Sequence, residues 1–168
     1  MGADVTEVLA SFGAYTEPRD GLGDNPFKLG CSLAATATDG EIRSAWPVAP
    51  PSELVRAWSV SRESRLFEDV DYGQWGLVLL SPAASAKRTA DQRALRPADY
   101  GPDDVVAGEF LGDLELLVIA PSEAGDRRIL VALPLDDRQE WYPAAPDLAR
   151  FLERYRDGHG AKFWESAG

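Results

Sequence analysis

Residues 66–80 read Leu-Phe-Glu-Asp-Val-Asp-Tyr-Gly-Gln-Trp-Gly-Leu-Val-Leu-Leu: three acids, three aromatics and two glycines, closing on a purely apolar run. The apolar end, 76–80, reads as a buried strand, and 65–67 as a second strand before it. The intervening acidic-aromatic segment, from Phe67 to Trp75, reads as a turn that holds Tyr72 and Trp75 at a surface edge. Aromatics beside carboxylates suit contact with a protein partner better than chemistry. The competing reading puts Phe67 and Trp75 in the core, with the acids solvating the turn.

Outward from this turn the chain alternates strand and helix signals. Strands are expected at 114–120 and 128–133, joined through 121–126 by a longer loop containing Gly125-Asp126. Residues 104–107 give a short strand and 140–142 an edge strand. Val5, Val8, Leu9 and Phe12 recur at i, i+3, i+4 and i+7, which predicts a helix entered at Asp4 and stopped at Gly13. Residues 16–30 are rich in Gly, Pro and Asp and read as a loop. Thr38 opens a short helix carrying Ile42 and Trp46, which Pro47 ends. Pro51 starts another, with Leu54, Val55 and Trp58 inward. Residues 83–95 form a basic helical interlude. The last helix carries Leu148, Phe151, Leu152 and Tyr155 at helical spacing, with Asp147 as its cap and Gly158 at its end.

Helices first, a meander in the middle and a closing helix predict an α+β fold, a mostly antiparallel sheet flanked by helices. The expected core includes Leu114, Leu116, Val118, Ile129, Val131, Phe151 and Leu152. Residues 1–35 are set apart as an N-terminal helix and loop extension, and 36–168 as one compact domain.

The chain has 168 residues, enough for one domain with a real core. Its formal charge of −11 argues against a nucleic-acid or anionic-membrane surface, and permits a basic protein partner. Simple solubility explains the same number. The single cysteine, Cys31, fits a reducing cytoplasm. No run of eighteen apolar residues predicts a membrane span, and the first residues carry no basic-then-apolar leader pattern. From Asp99 to Asp126 there are eight acids and no base, whereas 87–96 carries four bases and one acid. A single-sign segment is ordinarily a solvated face. It can also be a negative docking patch, which contributes specificity and on-rate more than raw affinity.

Catalytic constellations are missing from the sequence. It has no His-Glu-x-x-His, no phosphate loop and no Gly-x-Ser-x-Gly elbow. Gly21-Leu22-Gly23 lacks the third glycine and the strand-to-helix setting of a dinucleotide site. The only histidine, His159, follows the last helix, where helix termination and solvent exposure explain it. An EF-hand begun at Asp69 would need Glu at its twelfth position, where Leu80 stands. No metal, cofactor or catalytic residue is expected.

Several segments, in order, resemble the SUKH superfamily, in its branch of cell-wall-assembly regulators. Residues 51–58, Pro-Ser-Glu-Leu-Val-Arg-Ala-Trp, resemble the family's early Pro-x-x-Leu helix. Leu66-Phe67 followed by Tyr72-Gly73-Gln74-Trp75-Gly76-Leu77 resembles the next strand pair. Phe110-Leu111-Gly112-Asp113-Leu114 resembles the Gly-Asp segment ahead of a central strand, and Asp137 to Tyr142 with the final helix resembles the closing stretch. The match spans about residues 36–164. It departs at Ser61-Arg62-Glu63-Ser64, where the family often has an Asn-Gly-Gly turn.

The resemblance implies a domain without catalysis, many of whose bacterial members are immunity proteins that neutralise a toxin, often a nuclease. On that reading Asp69, Asp71, Tyr72, Trp75, Asp113, Glu115, Trp141 and Tyr142 would contact a basic toxin domain, the aromatics as anchors and the carboxylates as phosphate mimics. Two alternatives stay open. One is a scaffold or regulatory partner in another bacterial pathway; the other is an enzyme with a non-standard carboxylate site. Trp-rich edges also leave a homodimer open.

Overall fold

The computed structural model describes residues 4–122 and 127–165. The Gly125-Asp126 turn expected from the sequence lies outside them. Seven strands form one sheet in strict chain order, each antiparallel to the next: β1 Leu29–Leu33, β2 Ser64–Asp69, β3 Leu77–Leu79, β4 Val105–Phe110, β5 Leu116–Pro121, β6 Arg127–Ala132 and β7 Tyr142–Ala145. Five helices accompany it: α1 Val5–Ser11, α2 Asp39–Ala45, α3 Ser52–Val60, α4 Pro82–Leu95 and α5 Leu148–Asp157. The expected α+β class is therefore the observed one. Among the described residues no helix is long and apolar enough to cross a membrane.

Side chains alternate across the pleat, and both faces of this sheet are covered. Leu77, Leu79, Val105, Ala107, Leu117, Ile119, Ile129 and Val131 join α1, α3 and α5 in the larger core. Val78, Val106, Leu116, Val118, Ala120, Leu130 and Ala132 join Tyr100 and Trp141 in a smaller one. Burial on both faces explains why β5 and β6 read as continuous apolar runs rather than as alternation.

The helix caps match their sequence signals. Asp4 accepts the N–H groups of Thr6 and Glu7, and Asp147 accepts that of Arg150 at 2.7 Å. The start of α5 has a second acceptor, since the Glu53 carboxylate of α3 takes the N–H of Leu148 at 3.1 Å. Helix α4 replaces the short β3 beside β4. Where β3 stops, Ser85 Oγ donates to the Val106 carbonyl (2.6 Å) and the Val106 N–H donates to Thr89 Oγ1 (2.9 Å). Two buried hydroxyls thus satisfy ladder groups that would otherwise be orphaned.

Two expectations are corrected. Part of the predicted 16–30 loop begins β1, which pairs with β2 and brings Leu29 and Cys31 into the core beside Val5, Val8, Leu9 and Phe12. Leu114 is not a core residue. It is 74% exposed with φ +63°, because the β4–β5 turn runs through it and the strand starts at Leu116.

Candidate functional site

The turn between β2 and β3 is built around one carboxylate. Asp69 is buried, and its Oδ1 accepts the N–H groups of Asp71 and Tyr72 while Oδ2 accepts that of Gln74, each at 3.1 Å. Backbone bonds from Asp69 N–H to the Trp75 carbonyl (2.9 Å) and from Gly73 N–H to the Asp69 carbonyl (3.0 Å) close the loop. Hydrogen bonds to an ionised acceptor are the stronger kind, so the turn is held in one shape. The surface position expected of Asp69 is corrected to a buried one, its carboxylate taken up by the turn itself. What it presents is Val70, Asp71 and Tyr72, all exposed, with the Tyr72 ring 74% exposed.

Trp75 leaves the turn inward. Its Nε1–H donates to the Gly160 carbonyl at 3.0 Å, and its ring packs against the larger core while staying half-exposed. The ammonium of Lys162 lies 5.2 Å from the Trp75 ring centroid and 5.7 Å from that of Phe110. The same ammonium donates to Glu115 at 2.9 Å and to Asp113. Three of the residues singled out from sequence, Trp75, Asp113 and Glu115, therefore converge on the chain's own lysine. Burial lifts the Glu115 carboxyl; Lys162 opposes this, Asp113 and Glu165 add to it, and the net direction is upward. Burial alone would lower the Lys162 ammonium, but its hydrogen bonds to Asp113 and Glu115 outweigh that and hold it above the ordinary lysine range.

Beside this group lies a cleft of about 470 Å³, between the 22–27 loop, Trp75 and the segment after α5. Leu22, Phe27, Trp75 and His159 supply its apolar and aromatic lining, and Asp24 and Glu165 are its exposed carboxylates. His159 is not on a free tail as its position in sequence suggested. It adopts φ +51° where α5 ends, and its ring meets Tyr15 at 5.7 Å and Phe67 at 6.0 Å. Gly160 follows with φ +85°; a Cβ there would stand 2.7 Å from the Phe67 Cβ. Phe67 itself is fully buried, in line with the competing reading of its role.

The other residues singled out lie elsewhere. Trp141 is buried in the smaller core, its ring tilted against that of Tyr100 at 5.0 Å and flanked by the guanidinium groups of Arg96 (5.6 Å) and Arg138 (5.5 Å). Tyr142, the next residue in the chain, packs half-buried on the opposite core. A surface-anchor role for Trp141 is thus corrected. The acidic segment is largely neutralised from within. Of the six described acids from Asp99 to Glu115, five are ion-paired: Asp99 with Arg96, Asp104 with Arg138, Glu109 with Arg88, and Asp113 and Glu115 with Lys162. Asp103 is the exception, so the segment does not form a continuous negative patch.

Cys31 is buried, its thiol is pushed up to about 11 by that burial, and its sulfur accepts the Phe67 N–H at 3.2 Å. That environment suits packing rather than reactivity. Among the described residues no group of three or more His, Cys, Asp or Glu side chains is placed to hold a metal ion. Neither a protein-family model nor a curated protein matches the chain.

Proposed function

We propose that this chain is a non-catalytic protein-binding module that takes its partner on the 69–75 turn. The observation that carries this reading is an exposed tyrosine on a turn whose shape a buried carboxylate fixes from within. A rigid turn loses little conformational freedom on binding, and a tyrosine adds large contact area with few rotors. Val70 and the half-exposed Trp75 extend the same surface.

The resemblance to the SUKH superfamily supports a toxin as the partner, and the −11 charge supports a basic one. An immunity protein acting in the reducing cytoplasm is the reading in which these features agree, and the free Cys31 fits that compartment.

The test is co-purification from the source organism with the wild-type chain and a Val70→Ser/Tyr72→Ala variant. Both side chains are exposed, so the melting temperature should be unchanged. A stoichiometric partner held by the wild type and lost by the variant is expected. Full retention by the variant, or no stoichiometric partner at all, would overturn the reading.

A further inference from the structure

We infer that the cleft beside Trp75 receives an arginine side chain of the partner, its aliphatic stem against Leu22, Phe27 and Trp75 and its guanidinium paired with the exposed carboxylates of Asp24 and Glu165. This rests on the reading of the 69–75 turn as the partner site, since Trp75 belongs to both. A space of about 470 Å³ lined mainly by apolar and aromatic groups is large enough for one long side chain and the backbone that carries it.

The charge at this end of the molecule selects a cation. Two carboxylates, Asp24 and Glu165, line the cleft together with Lys162, whose ammonium is already shared between Asp113 and Glu115 outside it. Among the described residues neither Asp24 nor Glu165 has an ion-pair partner. With Lys162 already bound to its own carboxylates, Asp24 and Glu165 are the lining charges left to face a ligand, and they favour a cation.

Arginine fits better than lysine because the lining is aromatic. A guanidinium is planar, weakly hydrated and stacks on ring faces, whereas an ammonium keeps its water. One carboxylate can also take two parallel N–H groups from a guanidinium, a geometry that an ammonium does not offer. Anchors of this type, filling a pocket at the centre of a contact, carry a large share of binding energy.

The experiment is an NMR titration of the ¹⁵N-labelled full chain with the blocked tripeptide acetyl-Gly-Arg-Gly-amide and, separately, with the same peptide carrying neutral citrulline. The arginine peptide should shift the Trp75 indole N–H and the His159 amide saturably, and the citrulline peptide should not. An Asp24→Asn/Glu165→Gln variant, altered only at exposed groups, should bind about fivefold more weakly, while Tyr72→Ala should bind the tripeptide like the wild type. Equal responses to arginine and citrulline, shifts confined to other residues, or undiminished binding by the Asp24/Glu165 variant would each overturn the proposal. Loss of the partner in the Tyr72 experiment with no arginine response would remove this inference alone. An arginine response with a partner indifferent to Tyr72 would remove the turn reading and leave the cleft.

Discussion

The ammonium of Lys162 sits 5.2 Å from the centroid of the Trp75 indole and shares the carboxylates of Asp113 and Glu115. Four elements meet there: the 69–75 turn, β4 through Phe110, the β4–β5 turn and the segment after α5. A side chain only 10% exposed therefore ties the candidate binding surface to the end of the chain.

Lys162→Gln removes that tie and leaves Glu115 as a buried carboxylate without its cation. A loss of about 1–3 kcal/mol at neutral pH is expected in denaturant unfolding. The pH dependence has a definite sign. An unpaired, buried Glu115 is easiest to tolerate when protonated, so the deficit of the variant shrinks as pH falls through the raised Glu115 value. In the wild type the folded state holds the Lys162 proton more tightly than the unfolded chain does. Its contribution is present below the ordinary lysine range and fades only as pH rises through the folded-state value above it.

Asp69→Ala should cost about 2–3 kcal/mol, because three turn N–H groups lose one charged acceptor. Amide exchange at Asp71, Tyr72 and Gln74 should accelerate before any global unfolding. Asp69→Asn keeps an acceptor oxygen and should fall between Ala and wild type.

Gly160 and Gly73 both adopt positive φ, but only Gly160 is crowded. Gly160→Ala brings a Cβ 2.7 Å from that of fully buried Phe67, whereas Gly73→Ala meets nothing within 4 Å. Thermal melts should show a loss of about 2–4 kcal/mol for the first, from overpacking plus backbone strain. For the second, roughly 1 kcal/mol from backbone strain alone is expected.

Leu114→Asn should stabilise the fold by roughly 0.5–1 kcal/mol. Leucine is strained at φ +63°, asparagine tolerates that region, and an exposed side chain forfeits little burial. A destabilised variant would mean that Leu114 packs more firmly against its neighbours than its exposure indicates.

The meander in the middle of the chain and the two best helices were legible because their signals are local. Periodicity marks α1 and α5, and doubly buried strands leave unbroken apolar runs at β5 and β6. β1 was hidden because Leu29–Leu33 is short, irregular in register and preceded by Gly- and Pro-rich chain. Leu114 continues the alternation of Leu116 and Val118, and nothing local says that the turn ends only at Glu115. Trp141 reads as a surface aromatic beside acids, yet besides nearby Arg138 its cover comes from Arg96 and Tyr100, some forty residues earlier. Lys162 carried no sequence signal at all. Its partners are 47 and 49 residues away, and only the folded chain places it on Trp75. The acidic segment misled for the same reason: its counter-charges lie on α4 and just after it, in the segment before β7 and after α5.

The most direct measurement is site-specific photo-crosslinking in the source cell, with benzoylphenylalanine replacing Tyr72 and, as a control, Arg43 on the exposed side of α2. A discrete adduct with one protein from position 72 and none from position 43 is the predicted result. No adduct at position 72, or the same adducts from both positions, would contradict a binding surface on this turn.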